Sequence, residues 1–292
     1  MTILIATSIA PRNIALQQAA INTWLDYGFQ VMAINSDAEI SSLKPHFPNI
    51  KFFNVTQPLA AEGGRVLIQF DDVLNCLRQI DTEICGIINS DIYLNSQSDF
   101  LALIKEQSND SLVFGSRIDV SAAGIWEGTS FEKGYDYFFM NKEILNAYPP
   151  SSFHVGAPWW DIWAPLLPIL MGYKVKKLVT PIAYHVKHEA VWGDEWGHYA
   201  EHLAQLLLDF SRQDQAMNNG QMGNQWGNLC QTILQGALAQ NAILTLKNDS
   251  KNPNKHESTE HFQIFFYNML SIFLPQFISQ EAIKISISEA GD

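Results

Sequence analysis

The sequence is poor in cysteine, in charge and in long apolar runs. Its three cysteines, Cys76, Cys85 and Cys230, are odd in number, widely spaced and contain no CxxC. This argues against a disulfide framework and a zinc–thiolate site, and fits a reducing cytoplasm. No window approaches the ~18–20 uninterrupted apolar residues of a spanning helix, so no transmembrane segment is expected. The opening MTILIATSIAPRN has no basic residue ahead of its apolar run and does not read as a signal peptide. Lys and Arg total 18 against 30 Asp and Glu, a net charge of −12. That balance argues against a nucleic-acid binder, which needs a basic face, but leaves room for a pocket for one small anion. Neither GxGxxG nor GxxxxGK[ST] occurs after the first apolar run, which ends Thr-Ser-Ile-Ala-Pro-Arg. The dinucleotide fingerprint and the phosphate loop are therefore missing, and a nucleotide here would be held by side chains.

What is present is core-forming material, 47% hydrophobic residues against 16% charged in 292 residues. At about 100–200 residues per domain this allows one large domain or two small ones. Residues 1–95 alternate between strand and helix. Strands are expected at Ile3–Ile9, Phe29–Ile34, Ile50–Val55 and Ile84–Ile88, and helices at Asn13–Tyr27, Ala38–Leu43 and Val66–Ile80. Gly28 is placed to end the first helix. Such alternation implies right-handed βαβ units and a mostly parallel sheet flanked by helices. Beyond Asn95 a helix is expected at Phe100–Glu106. Strands are expected at Ser111–Arg117, Gly134–Met140 and Val175–Val179. Residues 191–244 read as mainly helical, and His261–Ile287 as a docked helix. The polar stretch 247–260 reads as a mobile loop. The division is 1–195 for the α/β unit and 196–292 for a helical C-terminal region.

Ligands of open parallel sheets bind beyond the carboxyl ends of the strands. Those ends carry Thr7 and Ser8 followed by Arg12, then Asn35-Ser36-Asp37, then Asn89-Ser90-Asp91. Turn and cap roles would also explain such residues. A carboxylate at the end of a buried strand, such as Asp91, can hold a hard divalent cation that bridges phosphates. It needs a second ligand, for which His185 and His188 are the candidates; their i, i+3 spacing suits one helix face. In Gly156-Ala157-Pro158-Trp159-Trp160-Asp161-Ile162-Trp163, three tryptophans surround one acid. Apolar walls raise a carboxylate's pKa and suit it to general-base work, and indoles pack well against sugar rings. An aromatic core patch, with Asp161 capping a helix, explains the same residues.

Taken together, TSIAPRN, INSDIYL, GYDYFFM, GAPWWDIW and AYHVKH resemble the GT-A superfamily of nucleotide-sugar glycosyltransferases, and look like bacterial, notably cyanobacterial, glycosyltransferase-like proteins. The resemblance covers about residues 1–195. It implies a GT-A-like α/β fold with Thr7, Ser8 and Arg12 near the nucleotide, Asp37 near its base, and Arg65 and Asn89 beside the phosphates. It implies Mn²⁺ or Mg²⁺ on the diphosphate, held by Asp91 and His185, with histidine favouring Mn²⁺. Asp161 would deprotonate the acceptor hydroxyl, with Asp136 the alternative acid. Asn89 stands where the motif has its first Asp, and Trp160 where a Glu often precedes the catalytic Asp. The implied function is sugar transfer from a nucleotide-sugar donor to an acceptor hydroxyl, with inversion, by a cytoplasmic protein that could form a homo-oligomer. A non-catalytic nucleotide- or carbohydrate-binding protein of the same fold is the alternative. A nucleotidyltransferase ranks last, because the stretch Ala6–Asn13 lacks glycine.

Overall fold

The computed structural model describes residues 2–55, 58–60, 66–96, 99–188, 195–217 and 255–287. The first half of the chain forms β1 (Leu4–Thr7), α1 (Ile14–Asp26), β2 (Gln30–Asn35), α2 (Asp37–Leu43), β3 (Lys51–Asn54), β4 (Leu59–Ala60), β5 (Val66–Gln69), α3 (Phe70–Arg78), β6 (Ile84–Ile88) and β7 (Ile92–Leu94). Then come α4 (Phe100–Gln107), β8 (Ser111–Val120), β9 (Thr129–Phe131), β10 (Tyr137–Asn141), α5 (Lys142–Ala147), β11 (His154–Val155) and α6 (Trp160–Leu170). The described chain ends with β12 (Lys174–Val186), α7 (Glu195–Met217), α8 (Lys255–Glu281) and β13 (Ile283–Ile285).

The main sheet runs β13-β12-β8-β10-β6-β1-β2-β3. Neighbours from β3 to β6 are parallel, as the strand–helix alternation requires. β10 lies antiparallel between β6 and β8, and β8, β12 and β13 are again parallel. This is a mixed, mostly parallel α/β sheet flanked by helices. Along β1 the side chains alternate between two cores. Ile3 and Ile5 face Trp24, Phe100 and Ile104. Leu4 and Ala6 face the other cluster, which holds Phe70, Leu74, Trp160 and Leu167. Burial on both faces is why β1 and β6 read as unbroken apolar runs.

Several boundaries differ from the sequence expectation. The stretch expected as one helix from Val66 to Ile80 begins as β5, which pairs antiparallel with β4 and β11 before α3 starts at Phe70. A short apolar run fits strand and helix periodicity alike, and pairing with His154–Val155 decides it. β12 is longer than expected because its upper part is held from both sides, by β7 and by β8. His185 and the residues before it are therefore strand, not a helix face. Gly28 sits just past α1 at φ +83, a left-handed turn that a side chain would strain. Of the polar stretch 247–260, residues 247–254 lie outside the described residues, and 255–260 belong to α8. Further along α8, Leu270, Leu274 and Ile278 join the core that contains Leu166 and Leu167 of α6. Tyr135 Oη donates to the Pro275 carbonyl at 3.1 Å. Among the described residues no helix is long and apolar enough to cross a membrane.

Candidate functional site

Because β1, β2 and β6 are parallel neighbours, their carboxyl ends share one rim of the sheet. Thr7, Ser8, Asp37, Asn89 and Asp91 therefore gather on one side, as the strand-end pattern implied. Much of the polarity there is spent on bracing. Asn35 accepts from the Ile9 N–H at 3.3 Å and donates to the Ile9 carbonyl at 2.8 Å. Ser36 and Glu39 form a capping box at the start of α2. Gln17 accepts from Ala10 N–H at 2.9 Å and from Ser90 Oγ at 2.7 Å, tying the β1 loop to the β6 loop. Asp37 and Arg12 are exposed, and Ser8 is half-buried. Thr7 is buried, and its Oγ1 has no hydrogen-bond partner among the described residues. Arg65 lies outside the described residues.

The second half of the rim is built by strand register. His185 of β12 is paired with Ile92 of β7 on one side and with Asp119 of β8 on the other. That pairing carries Asp91 and Asp119 to opposite nitrogens of one imidazole. His185 Nε2 lies 3.4 Å from Asp91 Oδ2, and its Nδ1 lies 3.2 Å from Asp119 Oδ1. His188 brings its Nε2 to 3.2 Å from His185 Nε2 and 3.5 Å from Asp91 Oδ2. Against the desolvation of its setting, the hydrogen bonds from His185 and His188 hold Asp91 well below the usual carboxylate range.

Asp91 Oδ2, His185 Nε2 and His188 Nε2 thus form a triangle with edges of 3.2, 3.4 and 3.5 Å. Ligands bonded to one cation at about 2.0–2.2 Å stand about 3–3.5 Å apart, so the three atoms fit one face of a coordination shell. Two imidazoles and one carboxylate suit a first-row transition ion better than a cation that prefers an all-oxygen shell. The divalent metal expected from the sequence fits these residues, with His188 added to Asp91 and His185.

Arg117 joins this triangle to the acids behind it. Its Nε donates to Asp119 Oδ1 at 2.9 Å, and its Nη1 reaches Asp136 Oδ1 and Oδ2 at 3.0 and 2.9 Å. Against its burial, Asp136 and Asp119 hold the guanidinium above its ordinary pKa. Its plane also lies 4.2 Å from the Phe131 ring centre. Asn89 Nδ2 donates to Asp136 Oδ1 at 2.8 Å, so position 89 faces an acid and not the cation triangle. An aspartate there would set two carboxylates against each other, which accounts physically for the amide in the motif.

Asp161 stands in the first turn of α6, and its Oδ2 accepts the Tyr135 N–H at 3.2 Å. Gly134 makes the approach possible, because a Cβ there would collide with Oδ2. Burial, and then the charge of Asp136, push the Asp161 carboxyl up to about 7. Trp159 holds the turn before it at φ 78, a strained value for a bulky side chain. The indoles are core. Trp160 packs on Phe70 and Phe138, Trp163 on Phe153, and Trp159 donates to the Trp196 carbonyl at 3.0 Å. The thought that they form a sugar platform gives way to the packing reading, since all three are nearly inaccessible.

Asp136 and Asp161 both belong to the region of Asn89 and Arg117, and Asp91 and His185 meet as expected. Arg117 and Asp119 were missed by sequence reasoning. Their signal was a charged i, i+2 pair starting at the last residue of the expected strand Ser111–Arg117, which puts both side chains on one face.

No family model and no curated protein matches this chain. Among solved structures, it is similar to S. aureus TarS 1-349 at a TM-score of 0.42 and 11% identity, covering 64% of this chain and 60% of that one. It is similar to 4-diphosphocytidyl-2C-methyl-D-erythritol synthase from Anaerococcus prevotii at a TM-score of 0.41 and 10% identity, covering 66% of this chain and 94% of that one. HddC from Yersinia pseudotuberculosis, complexed with GMP-PN, is similar at a TM-score of 0.35 and 16% identity, covering 52% and 82%. At these scores the likenesses add nothing to the reading of the site, which rests on the residues themselves.

Proposed function

We propose that this chain is a metal-dependent glycosyltransferase that moves a sugar from a nucleotide diphosphate donor to an acceptor hydroxyl, with inversion. The observation that carries the proposal is the triangle of Asp91, His185 and His188 at the carboxyl rim of a GT-A-like sheet. Next to it stands a linked cluster, Arg117 and Asp136, whose charges reach Asp161. Thr7, Ser8, Arg12 and Asp37 face the nucleotide in this reading, with Arg65 and Asn89 beside its phosphates. Mn²⁺ or Mg²⁺, held by Asp91, His185 and His188, would offset the charge that builds on the departing diphosphate. Asp161 takes the acceptor proton as the hydroxyl oxygen attacks the anomeric carbon and the bond to the diphosphate breaks. A carboxyl near 7 is matched to that task at neutral pH. The protein is then cytoplasmic, with a saccharide or other hydroxyl acceptor and a possible partner copy; the bacterial, cyanobacterial-type reading rests on the sequence motifs.

The commitment of Asn89 to Asp136 favours a second reading, a non-catalytic nucleotide- or carbohydrate-binding protein of the same fold. The two separate in a donor hydrolysis assay with UDP- and GDP-sugars and Mn²⁺. Transfer chemistry predicts metal-dependent turnover that Asp91→Ala and His185→Ala abolish. Donor binding by calorimetry without turnover, for every sugar tried, selects the second reading.

A further inference from the structure

We infer that Asp119 is a positioning residue, holding His185 as the Nδ1–H tautomer so that its Nε2 lone pair is turned toward a cation shared with Asp91 and His188. The inference rests on the metal site of the proposed function and deepens it.

The geometry begins with backbone pairing. Asp119 and His185 are register partners on parallel strands, so their side chains leave the same face of the sheet. His185 Nδ1 lies 3.2 Å from Asp119 Oδ1, and the ring is 6% exposed. A carboxylate only accepts, so the nitrogen facing it carries the proton. Nε2 lies 3.4 Å from Asp91 Oδ2 and 3.2 Å from His188 Nε2, so a proton there sits among the cation ligands and leaves when a cation takes the triangle, while the Nδ1 proton stays against Asp119. In the other tautomer, an Nε2–H would point into the triangle and close it to a cation, while Nδ1 and Asp119 would face each other as two acceptors.

The two imidazoles differ in freedom. His188 is 55% exposed, so water reaches its ring and can exchange its proton. His185 is enclosed between β7 and β8 and has no such route. The buried ring therefore has to be set in advance, and Asp119 is the group against its far nitrogen. Asp119 is itself held. Arg117 Nε donates to the same Oδ1 at 2.9 Å, while its Nη1 is anchored on both oxygens of Asp136. Because Asp136 already answers the guanidinium charge, neutralising Arg117 does not account for Asp119 on its own.

The test is long-range ¹H–¹⁵N spectroscopy of ¹⁵N-histidine protein without metal, read beside Mn²⁺ titrations of wild type, Asp119→Leu and Asp119→Asn. The expected result is an Nδ1–H signature for His185 in wild type. In Asp119→Leu it shifts toward Nε2–H, with Mn²⁺ affinity about 10–100-fold weaker, the range for losing an outer-shell partner of a metal-bound histidine. Asp119→Asn keeps an acceptor oxygen and nearly the same shape, so it should restore most of both. If Asp119→Leu does not fold, the Asp119→Asn tautomer still decides, since an Nε2–H signature without Nδ1–H there or in wild type overturns the inference. Unchanged tautomer and unchanged affinity in Asp119→Leu also overturn it. A tautomer shift in a protein that binds no Mn²⁺ even as wild type supports the positioning and sinks the metal-dependent function instead.

Discussion

Beside β1 and β2, each bracing group meets its complement. The Asn35 amide takes both backbone groups of Ile9, Ser36 and Glu39 close a capping box, and Gln17 bridges two loops. Beside β6, β8 and β12, complementary pairs such as Arg117 with Asp136 stand next to groups of like kind. Two imidazole nitrogens stand 3.2 Å apart, and burial together with the charge of Asp136 raises the pKa of Asp161. The first half of the rim uses polar side chains to fix loops, and buried groups satisfied in this way stabilise the fold. The second half crowds two imidazoles and two acids together, the pattern expected where chemistry is done.

The largest effect that sharpens this contrast is at Asp161. Asp161→Asn keeps the shape and the hydrogen bond from Tyr135 but removes the base. Turnover should fall by about 10²–10⁴-fold, with donor affinity nearly unchanged. Steady-state kinetics beside nucleotide calorimetry measure both, and a turnover within twofold of wild type removes Asp161 from the reaction.

A smaller effect, of the opposite kind, is expected on the braced half. Asn35→Ala leaves the Ile9 N–H and carbonyl without their side-chain partner in a buried position. It should cost about 1–3 kcal/mol of stability in denaturant unfolding. Metal affinity should stay at the wild-type value. A drop in Mn²⁺ binding with unchanged stability would break the comparison, because it would make the brace part of the site.

A third effect is a pH dependence. The Asp161 carboxyl stands near 7 in the fold against an ordinary value of 3.8. A group raised in this way binds its proton more tightly when folded. Its stabilising share is complete below about 4 and is lost as pH rises through about 7. Activity should run the other way through the same window, because only the ionised acid accepts a proton. Denaturation midpoints and kcat/KM between pH 4 and 8 should show both slopes in wild type, and the Asp161 share of the stability slope should vanish in Asp161→Asn.

The sequence by itself determined the parallel strands β1, β2, β3 and β6 and the rim they share. Unbroken apolar runs such as Ile84–Ile88 require covered faces, alternation with helices requires parallel pairing, and the polar residues after each run therefore share a rim. It also singled out Asp91, from its place after a buried strand, and His185, through the motif resemblance. Periodicity could not separate β5 from α3, since Val66–Ile68 fits both templates until β11 pairs with it. Nor could it tell that the tryptophans around Asp161 face the core. What the tertiary structure alone decided is the company each group keeps. Asp119 meets His185 across 66 positions of sequence, and Asn89 meets Asp136 across 47. Both contacts follow from which strands lie side by side and in what register, a consequence of long-range packing that no local pattern encodes.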